Sequence, residues 1–228
     1  MSTSSDDRTP EAPARMRAVL SRERIVREAV ALVDERGPDA LTMRAVANRL
    51  GAGAMSLYRH VASRDELLDL VLAAMAAEVT LAPPTGEWRT DLAVLAREVR
   101  SGLLRRPHLT VLLTSRSGRG AAELPLLEHT IGVLRAAGLT ARDAVLANHA
   151  IGNLIAGAAL WEAVGLSGAT GAERKERREG ALRVISELPA EDYPNLSWAG
   201  PEITAASLDE RFEFALSLLL DGIEQRLA

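Results

Sequence analysis

Met55, Ser56, Tyr58, Arg59 and His60 put a thioether, a hydroxyl, a phenol, a guanidinium and an imidazole into six consecutive positions, with Leu57 the aliphatic exception. Donors and acceptors of that kind suit base edges and phosphate oxygens. As a helix, the segment turns Leu57 and Val61 to the opposite side, so one face can anchor while the other reads. What that face meets depends on the elements that hold it. Upstream, Thr42 is a good N-cap for a helix whose apolar positions Met43, Val46, Ala47 and Leu50 follow the spacing of one buried face. Gly51 lacks the Cβ that disfavours left-handed backbone, which predicts a stop there and a second helix over 53–60 leaving at a steep angle. Ser63-x-x-Glu66 is a capping box opening a further helix through Leu67, Leu68, Val71, Leu72 and Met75. Two short helices broken at glycine and followed by a capped third are the outline of a helix-turn-helix. An ordinary helical hairpin with a solvated polar face has the same outline.

The particular residues narrow this choice. Leu41-Thr42-x-Arg44-x-Val46-Ala47-x-x-Leu50-Gly51, then Leu57-Tyr58-x-His60-Val61-x-x-Arg64-x-x-Leu67-Leu68, resembles the DNA-binding domain of the TetR family of bacterial transcriptional regulators. The run Arg211 to Gly222, together with Trp88-Arg89 and Leu134 to Leu139, is similar to the branch of that family containing the tetracycline repressor. The resemblance covers nearly all of the chain beyond Ser21. It implies that Thr42 and Arg44 open the supporting helix near phosphates, that Gly53, Ala54, Met55, Ser56, Tyr58 and His60 lie along a groove, and that Arg64 clamps the backbone. Gly53 and Ala54 are small, which shifts the expected readout from base contacts toward DNA shape. The resemblance further implies a homodimer on double-stranded operator DNA, held by a four-helix bundle and released by a small-molecule inducer. Leu112 stands nearest the place where the tetracycline repressor has a magnesium-binding histidine, so no metal or other cofactor is carried over.

Composition agrees with an intracellular DNA-binding protein. The 228 residues carry a net charge of −4, yet residues 1–64 hold 11 arginines against 8 carboxylates. With no cysteine, disulfides, thiolate catalysis and cysteine-ligated zinc are excluded together. Residues 1–20 are polar, with Asp6, Asp7 and two prolines and no apolar run of a signal or anchor, and are expected to form a disordered arm of a cytoplasmic protein. Arg15, Arg17, Arg22 and Arg24 could reach phosphates as a basic arm does, although a merely solvated tail is the favoured reading. The apolar stretch 144–161 is interrupted by Asn148, His149 and Asn153, which reads as a buried helix rather than a membrane span.

Helical spacing without alternating strand patterns predicts an all-α chain: the arm, a helix-turn-helix domain over 21–68, and a larger helical domain over 69–228. Ser21, Thr140 and Ser207 are further expected caps, Gly138 an expected stop, and Pro189 to Pro201 an irregular run. Phe212, Leu216, Leu219, Ile223 and Leu227 form one stripe on the last helix while Phe214 and Leu218 stand outside it; periodicity alone leaves open which of these meet a partner. Ser56 and His60 lack an orienting carboxylate, and the other histidines lack metal spacing, so an enzyme is not expected. Thr110, Thr114, His129, His149 and Asn153 are polar positions among abundant apolar ones and are candidates to line a ligand pocket. The alternative function is a small-molecule-binding or protein-interaction module without a transcriptional role.

Overall fold

The computed structural model describes residues 20–108, 110, 123–166, 171–203 and 205–227. Among these, ten α-helices and one 3-10 turn at Pro38–Ala40 are delimited, with further helical residues at 107, 108 and 110 and no strand, as the all-α expectation requires. Helices α1 (Arg22–Arg36), α2 (Met43–Leu50), α3 (Ala54–Leu57) and α4 (Arg64–Ala76) form one set. Helices α5 (Trp88–Arg105), α6 (Leu124–Ala137), α7 (Ala141–Leu166) and α10 (Leu208–Leu227) form a second, while α8 (Gly171–Ser186) packs with α9 (Pro194–Ile203).

Every expected cap is made. Ser21 accepts from the Arg24 N–H at 3.2 Å, Thr42 from Ala45 at 3.1 Å, Ser63 from Glu66 at 3.0 Å, and Thr140 from Asp143 at 3.1 Å. Ser207 and Glu210 close a reciprocal box at 3.1 and 2.7 Å. Gly51 (φ 62) and Gly138 (φ 109) end α2 and α6 in left-handed backbone, where a side chain would be strained. The first set closes around Ile25, Ala29, Leu32 and Val33 of α1, which share a core with Val46, Ala47, Leu57, Val61, Leu67 and Val71.

Two elements differ from the sequence expectation. Regular helix in the second half of the helix-turn-helix covers only Ala54–Leu57, because the His60 N–H takes the Leu57 carbonyl three residues back, at 2.8 Å, and tightens the chain into a turn. The run expected to be irregular contains α9, which Pro194 starts at a position where a missing N–H costs nothing. Gly200 lets α9 approach α8 closely, since a Cβ there would lie 3.3 Å from Ile185. The expected loop at Ser115 to Gly120 lies outside the described residues, and of the arm over 1–20 only Leu20 is among them.

Helix α7 is central to the second set, touching α5, α6 and α10. Its Ala141–Ala163 stretch is long and apolar enough to cross a membrane, but its inner face buries Asn148 and Glu162 among Ala144, Ile151, Ile155 and Ala159. Glu162 meets Arg100 of α5, whose Nε lies 2.8 Å away and whose Nη2 also reaches Asp209 at 2.6 Å; the guanidinium sits over the Phe212 ring, 4.7 Å from its centroid. On α10, Phe212, Leu216, Leu220 and Ile223 face this interior, so the stripe noted in the sequence belongs mainly to the chain's own core. Phe214 and Leu218 face outward.

Candidate nucleic-acid interface and ligand-binding domain

The helix-turn-helix divides its side chains sharply. Leu57 and Val61 are 0% and 1% exposed, whereas Met55 is 76% and Tyr58 46% exposed. Ser56 and His60 are half-buried beside them, Arg59 is exposed, and Gly53 and Ala54 present almost no side chain at the entry to α3. Thr42 and Arg44 are exposed at the start of α2. The Thr42 hydroxyl oxygen accepts the capping bond, which leaves its proton available to an outside acceptor.

Charge at this surface is selective. Arg49 forks onto Glu35 at 2.5 and 2.9 Å and reaches Glu28 at 3.2 Å, tying α2 to α1; the same contact holds the Glu35 carboxyl below the usual carboxylate range. Arg22 is paired with Glu66, which also accepts from the Ala62 N–H at 2.6 Å. Arg64 donates through Nε to the Leu41 carbonyl at 2.8 Å, fixing the start of α4 to the loop before α2. Arg44 and Arg59 are exposed and have no ion-pair partner among the described residues. Arg59 was not among the residues singled out by the resemblance. Its place in the 55–60 run was the available signal, and its exposure with no carboxylate partner supports its inclusion.

In the larger set the polar candidates do not converge. Thr110 is buried, and its hydroxyl donates to the Leu103 carbonyl at 2.6 Å, so it closes the end of α5. Thr114 and Leu112 lie outside the described residues. His129 is half-buried on α6. Burial opposes charge on the nearby Asp91, but bonds from Thr85 and Gly86 and the His129 field outweigh it and hold the carboxyl below its ordinary value. His149 and Asn153 stand on the outer face of α7 with Leu146 and Trp161, the latter 78% exposed. The inward amide of that helix is Asn148. The α5–α10 groove of about 290 Å³ and the α1–α4 groove of about 500 Å³ are lined by other residues. No group of three or more potential metal ligands occurs among the described residues.

A small head with an anchored, outward-reading helix, joined to a larger helical body, defines a DNA-binding regulator. Residues 25–71 match the description "Bacterial regulatory proteins, tetR family" and residues 81–227 match "Tetracyclin repressor-like, C-terminal domain". The chain belongs to the TetR family and is a transcriptional repressor of that family, not an enzyme. It is 33% identical over 216 residues to the HTH-type transcriptional repressor DrrR1 of Streptomyces coeruleorubidus, covering 92% of this chain and 79% of that protein. It is 34% identical over 206 residues to the tetracycline repressor protein class A from transposon 1721 of Escherichia coli, covering 89% of each. The fold is similar to that of the Streptomyces coelicolor TetR family protein ActR in complex with actinorhodin, with TM-score 0.83, 31% identity, and coverage of 92% of this chain and 100% of that chain. Both helix sets therefore belong to one regulator, and the module without a transcriptional role is set aside.

Proposed function

We propose that the chain acts in the cytoplasm as a homodimer on a pseudo-palindromic operator and leaves it when a small molecule binds the C-terminal domain. The observation that carries the DNA reading is the division of the reading segment, with Leu57 and Val61 buried and Met55, Tyr58 and Arg59 exposed. Thr42, Arg44, Arg59 and Arg64 contact phosphates. Gly53 and Ala54 allow close backbone approach, and Met55, Ser56, Tyr58 and His60 lie along the major groove. Met55 has no strong donor, so the base group it suits is the thymine methyl.

The working division is an arm over 1–20, a reading head over 21–68 and a ligand-binding and dimerisation domain over 69–228, with α4 running unbroken across the last boundary. For the inducer pocket the remaining candidates are His129, His149 and Asn153, since the Thr110 hydroxyl is spent on the Leu103 carbonyl and Thr114 lies outside the described residues. Because His149 and Asn153 face outward, a second subunit would have to close the pocket around them. That the related ActR was solved in complex with actinorhodin supports a small-molecule site in this chain.

Selection from a random double-stranded DNA pool tests the reading. A two-fold symmetric consensus is expected, with affinity falling steeply as salt rises. Absence of any enriched sequence would remove it.

A further inference from the structure

Extensive contacts fall within one helix set or the other, so the few links between them carry the geometry of the reading head. One of these links is ionic and built from three element ends. Arg106, the residue that closes α5, donates through Nε and Nη2 to both oxygens of Glu78, at 3.1 and 2.7 Å, and through Nη1 to Asp34. Glu78 lies two residues beyond α4, and Asp34 is in the last turn of α1. The guanidinium side chain is 22% exposed, so the cluster is only partly screened by water.

The backbone around Arg106 is itself fixed. Its N–H bonds the Leu103 carbonyl at 3.2 Å, and Thr110 ties back to both Leu103 and Arg106. Val79 is in reach of Gly102, where a Cβ would lie 3.5 Å from its side chain, and His108 lies beside Gly37 at the end of α1. A shift of the α5 end must therefore drag α1 and α4 or break the fork. A planar guanidinium can fork onto both oxygens of one carboxylate while holding a second; an ammonium has three rotatable donors but no such rigid fork.

We infer that Arg106 is the positioning residue that couples the ligand-binding domain to the reading head, locking α1 and α4 to the end of α5. The inference rests on the proposed repressor function and names the link through which its two sites communicate. Coupling is reciprocal, so DNA can serve as the probe without any inducer.

The test uses the full chain and a duplex selected by the wild-type protein from the random pool, with amide hydrogen exchange as readout. In the wild type, DNA should slow exchange across α1 and α4 and also through the end of α5 around 103–110. In Arg106→Ala the slowing should stop at the head, and operator affinity should fall about tenfold. Arg106→Lys should restore the thermal midpoint more than the transmission. Asp34→Asn with Glu78→Gln keeps the shape and serves should Arg106→Ala fail to fold; it should uncouple in the same way. Undiminished slowing at 103–110 in a folded variant would overturn the inference while leaving the repressor reading intact. A wild-type chain that selects no duplex would overturn the reading beneath it.

Discussion

A charged side chain in the reading head can serve the fold or the DNA, and the structure separates the two by partners. Arg44 and Arg59 are exposed with no carboxylate partner among the described residues, whereas Arg49 is committed to Glu28 and Glu35. Arg44→Ala and Arg59→Ala should therefore each weaken operator binding and flatten its salt dependence by about one unit of slope, with helicity unchanged. Tyr58→Ala should weaken binding without changing the slope, since it removes no charge. Arg49→Ala should instead lower thermal stability and leave the slope alone. Titrations at several salt concentrations separate these outcomes, and equal slopes for Arg44→Ala, Arg59→Ala and wild type would move the phosphate contacts elsewhere. The caps, the glycine stop and the anchoring pair Leu57 and Val61 were legible in the residues because each depends on neighbours a few positions away. Which arginine is already engaged was not, because Glu28 and Glu35 lie 21 and 14 residues from Arg49 in sequence.

At the scale of elements, α5, α7 and α10 are pinned by a buried charge that hydrophobic spacing could not reveal. Arg100 occupies the inner face of α5 among Leu92, Leu95, Ala96 and Leu103, a position that periodicity assigns to an apolar side chain. It is tolerated there because Glu162 and Asp209 satisfy it, and those bonds outweigh burial to strengthen its hold on the proton. Arg100→Ala would leave Glu162 buried without its cation, at a cost of about 3–5 kcal/mol. The pair Arg100→Met with Glu162→Leu, apolar on both sides, should recover most of that loss. Denaturant titration of the variants measures both. A double variant as unstable as Arg100→Ala would mean that packing around Phe212, rather than charge, dominates the site. The same blindness to long-range partners explains why α7 was read correctly as a helix but not by face: its outward side carries His149 and Asn153, and Asn148, one position away, points in.

At the scale of the molecule, apolar surface remains that one chain does not bury. Leu146 and Trp161 on α7, and Phe214 and Leu218 on α10, are 54%, 78%, 67% and 55% exposed, on two helices that pack against each other. Exposed apolar residues on two adjoining helices mark an interaction surface, and the proposed homodimer covers it. The inward stripe of α10 is already used by Phe212, Leu216 and Ile223, so the informative substitution is at an outward position. In an isolated chain Leu218→Glu leaves a carboxylate in water and should shift stability by no more than about 0.5 kcal/mol. Across a subunit seam the same carboxylate would be desolvated without a partner, at a cost of several kcal/mol to association. Sedimentation should accordingly show folded monomers where the wild type sediments as a dimer, with unchanged helicity. Operator affinity should fall with assembly, because two half-sites about one helical turn apart are held tightly only by two linked heads. A Leu218→Glu chain that sediments and binds DNA like the wild type would place the seam on another face of the α7–α10 pair.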